Sequence, residues 1–408
     1  MADKLLTPDF NRLARSNILA QLAEQIALAA SPLVAVLAFS ATAAQTSWIQ
    51  AAQTLPFLLM SIPSGLLADR FSHRRVLVFS EIIRTLAFVF IGGLLLSKQL
   101  NLYGLALLGF VGATATVVYT VTAPAIIPSL VPTSRLTLAN GKIEVARTTA
   151  FAFGPAIAGS LVAWAGGFIT FTVTAALSAC AAALLFRLPT SSARPQPKRR
   201  DPLREIGEGL SFVFRNRYLR PIFVTQFLFG IAMFIVLGVF VPYAINDMNL
   251  SAQTTGLVLS AYGIGMVLGA WTAPRMIAST TFGRAIGVGP ISAVAAAALM
   301  AGTLWYPSAV LAALSFFVFG VGPTIWIVST TTLRQSITPV GLLGRVSSIN
   351  VLAYGARPLG AAIAAIVAAQ FGTAVCLVLA LAIFIAQALV IVLSPAIQLN
   401  DVPNEADD

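Results

Sequence analysis

Twelve stretches of about twenty apolar residues follow one another along this chain, and that repetition constrains its fold more than any other feature. They cover residues 17–40, 47–68, 76–97, 102–125, 139–164, 167–188, 219–244, 254–273, 285–306, 309–333, 346–369 and 373–393. An α-helix needs about 20 apolar residues to cross the hydrocarbon layer of a bilayer. Each stretch is therefore read as one spanning helix. The breaks between them hold Pro, Gly, Asn and charge, the usual residues of helix ends. Several helices also hold Pro and Gly inside, as at Gly154-Pro155 and Gly322-Pro323. Membrane helices tolerate these because neighbouring helices satisfy the freed carbonyls.

Composition agrees with this reading. Charged residues make up 10% of the 408, hydrophobic residues 58%, and the mean hydropathy is +0.89. A typical soluble domain carries about 25% charged residues. A soluble enzyme, a secreted disulfide scaffold and a disordered chain are excluded together. Cys180 and Cys376 both sit in apolar runs and read as small core residues, not as a disulfide. With a single histidine, His73, they do not make a zinc site. Residues 1–17 mix Lys4, Asp9, Arg12 and Arg15 with apolar residues and lack the separate apolar core of a cleavable leader, so the first run is read as the first span.

The net charge of +11 is spread unevenly. Arg70, Arg74, Arg75, Arg135, Arg275, Arg284, Arg334 and Arg345 lie in the loops after spans 2, 4, 8 and 10, and Lys4, Arg12 and Arg15 precede span 1. The loops after the odd spans 1, 3, 5, 7, 9 and 11 hold Lys98 alone. Positive loops stay on the cytosolic side, which puts both termini in the cytosol and requires an even number of spans. The expected address is a cytoplasmic (inner) membrane. The charge is that of a lipid-embedded protein, and nucleic acid is not an expected partner.

The longest polar stretch, 189–217, lies at the centre. Its first half is rich in Pro and Ser and reads as linker. From Asp201 to Phe214, Leu203, Ile206, Leu210 and Phe214 recur every three or four residues, the pattern of an amphipathic helix on the membrane surface. The expected organisation is a six-helix half over 1–188, this linker over 189–217, a second six-helix half over 218–394 and an acidic tail over 395–408. The halves resemble each other: Gly141, Ala150, Phe151 and Pro155 match Gly344, Ala353, Tyr354 and Pro358 at one constant offset. Such weak repeats accompany secondary transporters.

Between spans 2 and 3 runs Gly65-Leu66-Leu67-Ala68-Asp69-Arg70-Phe71-Ser72-His73-Arg74-Arg75. It resembles the G-x-L-A-D-R-x-G-R-K loop of the major facilitator superfamily, with Ser72 in place of the second glycine and His73 in place of the next base. Gly65 would permit close helix approach, Asp69 would accept hydrogen bonds at a helix N-terminus, and Arg70, Arg74 and Arg75 would pair across the halves as an inner gate. A purely topogenic basic loop is the other reading. In the second half Gly269, Arg275, Gly283 and Arg284 form a decayed counterpart, with Ala273 where the aspartate would stand. Gly154, Pro155 and Gly159 resemble the G-P-x-x-G-G element of antiporter branches with one extra residue, although glycines at this spacing also serve helix packing. The loops 131–141 and 342–345 are similar to those of drug:proton antiporters and the enterobactin (siderophore) exporter branch.

The resemblance implies an all-α integral membrane fold of twelve helices in two pseudo-symmetric halves, alternating access and, as a rule, a monomer. It implies a central cavity on spans 1, 4, 7 and 10, and so Gln25, Tyr119, Gln226, Phe229 and Trp326 as substrate contacts.

Charge inside the spans is the remaining signal. A charge at mid-bilayer costs at least about 2.5–3.5 kcal/mol, so it marks a functional candidate. Glu81 with Arg84 and Glu144 with Arg147 are each spaced i, i+3 and read as structural ion pairs near helix ends. Glu24 lies in span 1 between Gln21 and Gln25 with no base in the next turns. It is read as the proton carrier, with a structural hydrogen bond as the alternative. Arg357, beside Pro358, is the one base near the middle of a span. It would bind an anionic group of the substrate, pair with Glu24, or satisfy carbonyls freed by the proline.

No P-loop, His-Cys cluster or dinucleotide fingerprint occurs, so neither an enzyme nor a bound cofactor is expected. The expected activity is export of a small amphipathic molecule, drug-like or siderophore, by proton antiport. An importer or uniporter of a metabolite or sugar has the same outline. A receptor or scaffold is the remote alternative.

Overall fold

The computed structural model describes residues 7–132, 135–189, 202–339, 342, 346 and 353–401, and the described residues contain helices and no strands. The helices are α1 (Pro8–Phe39), α2 (Ala43–Leu59), α3 (Ser61–Arg70), α4 (His73–Leu96), α5 (Leu102–Leu130), α6 (Leu136–Phe186), α7 (Pro202–Arg215), α8 (Leu219–Pro242), α9 (Ala252–Ser279), α10 (Phe282–Gly302), α11 (Ala309–Ile337) and α12 (Ala356–Val392). A π-turn, Tyr243–Asp247, continues α8. Nine of these segments are long and apolar enough to cross a membrane on their own.

Two of the nine are double. Gly166 interrupts α6 at φ 75°, and Gly372 interrupts α12 at φ 81°. This left-handed conformation is open to glycine and strained for other residues. That the chain doubles back there follows from contacts. In a straight helix Ala364 and Cys376 would stand about 18 Å apart, yet the Cys376 thiol meets the Ala364 carbonyl at 3.6 Å. In α6, Gly154 abuts Gln25, Gly167 abuts Val34, and Ala181 accepts from Ser16, so the chain climbs along α1 and descends beside it. The α2–α3 pair supplies the remaining crossing. It is broken at Met60 because Pro63 has no N–H to give the Leu59 carbonyl. Twelve spans result among the described residues.

The two halves repeat this arrangement. α1 packs on both limbs of α6, as α8 packs on both limbs of α12. Gly230 and Gly238 of α8 meet Ala356 and Ala364 of the first limb, while Phe229 meets Phe384 of the second at 5.8 Å. The halves join along two seams. On the first, α6 and α9 approach so closely that a Cβ at Gly159 would lie 2.4 Å from the Ala252 carbonyl, and one at Gly256 would lie 2.3 Å from the Pro155 carbonyl. The amide of Ala156 crosses this seam to Ser260 Oγ at 2.8 Å. On the second, α2 packs on α12 and α8, with the Thr46 hydroxyl donating to the Gly238 carbonyl at 3.1 Å.

The ends of the bundle differ. Trp48, Tyr103, Trp164, Trp305 and Tyr306 are exposed at the end away from the arginine loops, where amphipathic rings suit a headgroup layer. At the arginine end, α7 covers the start of α8 with Val213 buried and Phe214 edge-on to Phe223 at 5.5 Å. The helix expected at 201–214 is thus found at Pro202–Arg215, while the linker before it, 190–201, lies outside the described residues. Beyond α12 the chain turns back over α10. The amides of Phe282 and Gly283, which no side chain caps, donate to the carbonyls of Asn400 and Leu399 at 3.0 and 2.7 Å.

The glycine seam has a measurable consequence. Gly256→Val places a branched side chain against backbone that cannot yield, and overpacking of this kind costs about 1–3 kcal/mol. Thermal unfolding in detergent should show a lower midpoint for Gly256→Val. Gly65→Ala, where a Cβ meets nothing within 4 Å among the described residues, should match the parent.

Candidate functional site

Buried charge in the first half is concentrated at one place. Glu81 and Arg84 are 0% and 1% exposed. They lie at the middle of α4, not near its end, because α4 begins as early as His73. Arg84 Nη2 donates to both Glu81 carboxylate oxygens at 2.5 and 2.6 Å. Ser178, on the second limb of α6, donates to Glu81 Oε2 at 2.6 Å and accepts from Arg84 Nε at 3.2 Å. Arg84 Nη1 reaches Thr116 Oγ1 of α5 at 3.3 Å. The guanidinium lies 5.8 Å from the ring centre of Tyr119, whose hydroxyl donates to Asn17 of α1 at 3.5 Å. Four helices are thus tied to one ion pair with most of its hydrogen-bonding capacity filled, the condition under which a buried pair is tolerated.

Glu24 stands beside this network. Helix α1 begins at Pro8, capped by the Thr7 hydroxyl, so it starts nine residues before the expected span. Ser16 and Asn17 continue the helix because they are buried against neighbouring helices. Glu24 therefore falls at the midpoint of α1, deeper than the seven residues from the start of a span at residue 17. It borders a cavity of about 40 Å³ between α1, α2, α4, α5 and the second limb of α6. Gln53, Phe57, Phe88, Thr116 and Phe171 share the lining. Room of this size admits a water molecule or two. Among the described residues, no hydrogen bond or ion pair reaches the Glu24 carboxyl. The charges that act on it through space belong to Arg84 and Glu81 of α4, Arg357 of α12 and Arg147 of α6.

Arg357 comes to the same region from the other half. Its guanidinium lies 5.3 Å from the ring centre of Phe57 and 5.6 Å from that of Phe234, a position of cation–π attraction on both sides. Phe57 is also a wall of the Glu24 cavity. The constant offset of the repeat places Arg357 where the first half has Gly154. At Gly154 a Cβ would lie 2.4 Å from the Gln25 Cβ, so that position admits no side chain.

The other expected residues fall elsewhere. Gln25 is buried against Gly154. Tyr119 is enclosed at 2% exposure between Asn17 and Arg84. Phe229 packs edge-on against Phe384 of the same half, and Trp326 packs against Gly289 of α10. Gln226 is half-buried on α8. None of the five borders the Glu24 cavity. Glu144 and Arg147 form an ion pair at 2.5 Å on an exposed surface, 56% and 37% accessible, with Arg147 over Phe151.

In the loop motif, α3 lies on α5 and α4, and among the described residues nothing comes within 4 Å of a Cβ placed at Gly65. Arg74 reaches the Phe186 carbonyl and ring within its own half. That contact places a cation at the negative end of α6. Arg70 and Arg75 are exposed. The Asp69 side chain and residues 343–345, including Gly344 and Arg345, lie outside the described residues.

Gln53, Phe57, Phe88, Thr116 and Phe171 were not singled out from the sequence. Gln53 carried a usable signal, an amide in the middle of an apolar span. Thr116 carried none among the many threonines and serines of these helices.

The profile of the Major Facilitator Superfamily matches residues 13–360. The multidrug efflux pump Tap of Mycolicibacterium fortuitum is 28% identical over 345 residues, which are 80% of this chain and 81% of Tap. The enterobactin exporter EntS of Escherichia coli O1:K1 is 25% identical over 312 residues, 72% of this chain and 71% of EntS. Among solved structures, the nucleoside transporter NupG superposes with a TM-score of 0.76 at 14% identity, over 95% of this chain and 99% of NupG.

The ion pair makes a prediction. Glu81→Gln or Arg84→Met alone leaves one buried charge unanswered and should cost about 3–5 kcal/mol. Removing both should recover much of that loss. A double-mutant cycle on unfolding midpoints in detergent checks it, and additive losses would contradict the coupling.

Proposed function

The chain belongs to the Major Facilitator Superfamily, and on that premise we propose that this transporter exports a small amphipathic molecule, drug-like or siderophore, in exchange for protons. The observation that carries the reading is Glu24: a carboxyl at the midpoint of α1, bordering a cavity, with no direct partner among the described residues. A charge at that depth is costly. Such a group is charged or neutral according to what stands opposite it. The export activities named for Tap and EntS support the direction.

In the proposed cycle the halves rock against each other about the α6/α9 and α2/α12 seams, exposing a mid-membrane site to one side and then the other. Glu24 takes up a proton from outside and releases it inside as substrate loads. Arg357, held between Phe57 of one half and Phe234 of the other, is placed to feel the charge on Glu24 and any anionic group of a substrate. The Asp69–Arg70 loop acts as an inner gate when its end of the bundle closes. The protein sits as a monomer in a cytoplasmic membrane with both termini inside.

In proteoliposomes, an imposed pH gradient should drive accumulation of a transported dye, macrolide or siderophore, and substrate should in turn drive proton movement. Glu24→Gln should abolish both and weaken, without eliminating, equilibrium binding, because glutamine stands in for the protonated carboxyl. Full proton-driven transport by Glu24→Gln would remove Glu24 as the carrier. Substrate moving down the proton gradient, instead of against it, would identify an importer.

A further inference from the structure

Thr116 occupies a distinctive place between two acidic groups of the first half, Glu24 and Glu81. Its hydroxyl accepts from Arg84 Nη1 at 3.3 Å, and the same side chain lines the cavity that Glu24 borders. The rest of the Arg84 guanidinium is committed: Nη2 to Glu81, and Nε to Ser178. A hydroxyl has one hydrogen to give and two lone pairs to accept with. At Thr116 a cation fills one lone pair, and no protein acceptor among the described residues takes the hydrogen. The cavity offers one anionic acceptor, Glu24. An alcohol that accepts from a cation becomes a stronger donor, because hydrogen bonds in a chain polarise one another.

We propose that Thr116 is a positioning residue: held by Arg84, its hydroxyl donates across the cavity to Glu24, directly or through one water, and so sets how readily that carboxyl gives up its proton. The arrangement lets Arg84 favour the Glu24 carboxylate without leaving Glu81. A direct Arg84–Glu24 pair would strip Glu81 of its cation at 0% exposure and leave a new unanswered charge. The other charges facing Glu24, those of Glu81, Arg357 and Arg147, are unaltered by a change at Thr116. The rest of the wall, with Phe57, Phe88, Phe171, the amide of Gln53, the hydroxyl of Ser31 and small or aliphatic residues, carries no charge.

This inference rests on the reading of Glu24 as the proton carrier, so its test reads Glu24 itself and not transport. Infrared difference spectra of the reconstituted full chain, recorded against pH, contain the carboxyl stretch of Glu24, assigned by its disappearance in Glu24→Gln. Thr116→Val, which keeps the shape and removes the hydroxyl, should move the midpoint of that band to higher pH by about half a unit or more, the size of one modest hydrogen bond. Thr116→Ser should restore it. If the valine variant does not fold, Thr116→Ala removes the same hydroxyl and should give the same shift. A midpoint unchanged in the hydroxyl-free variant overturns the inference. Transport retained by Glu24→Gln would overturn the coupling role instead, and the infrared midpoint would still report on the hydrogen bond.

Discussion

A charge inside an apolar bundle has to be answered by another charge or by hydrogen-bond partners, and the arrangement of this protein turns on how it meets that demand. Arg84 answers Glu81 directly, with Ser178 and Thr116 taking up remaining donors and acceptors. The cost of desolvating both ions is offset only because the geometry is this complete. The same contacts fasten α4, α5 and the second limb of α6 to one another. Glu24 is the exception. It is surrounded by charges that reach it through space, and among the described residues none touches it. A group left in that position responds to small changes around it, which is what coupling a proton to a moving substrate requires.

The scaffold around this charge is built on close backbone approach. Without a hydrophobic force between helices in lipid, association depends on packing, and small residues let backbones come near. Gly159, Gly256 and Gly263 form such a seam between the halves. The two halves repeat the architecture but not the chemistry. The first half holds the Glu81–Arg84 pair and Glu24. The second contributes Arg357 at the place where the first half has Gly154, and sends it between phenylalanines from both halves. A pseudo-symmetric frame thus carries one asymmetric charge arrangement at its centre.

Much of this fold is legible in the amino-acid sequence because a bilayer leaves helices few alternatives. The break between the fifth and sixth spans is visible at Gly166-Gly167, and the amphipathic period of the central helix survives in Leu210 and Phe214. Helix ends are less legible. Ser16 and Asn17 look like the limit of a span, yet they are buried inside α1, because burial against neighbouring helices outweighs polarity there. The site is legible by charge alone. Glu24, Glu81, Arg84 and Arg357 stand out because charge in lipid is costly. Thr116 and the phenylalanine walls do not, since threonine and phenylalanine are common in apolar helices and only packing decides which of them face a cavity. For the same reason Trp326 and Phe229, on spans associated with the central cavity, are found packed within their own half.

The central claim is that substrate binding and a proton are exclusive of one another at this site. Calorimetric titration of the purified transporter with whichever macrolide, dye or siderophore it binds, repeated in buffers of different ionisation enthalpy, counts the protons exchanged on binding. The account predicts that the wild-type protein releases a proton as ligand binds, near the pH at which Glu24 titrates, and that the release is lost when Glu24 is glutamine. Saturable binding with no proton release at any pH would contradict it.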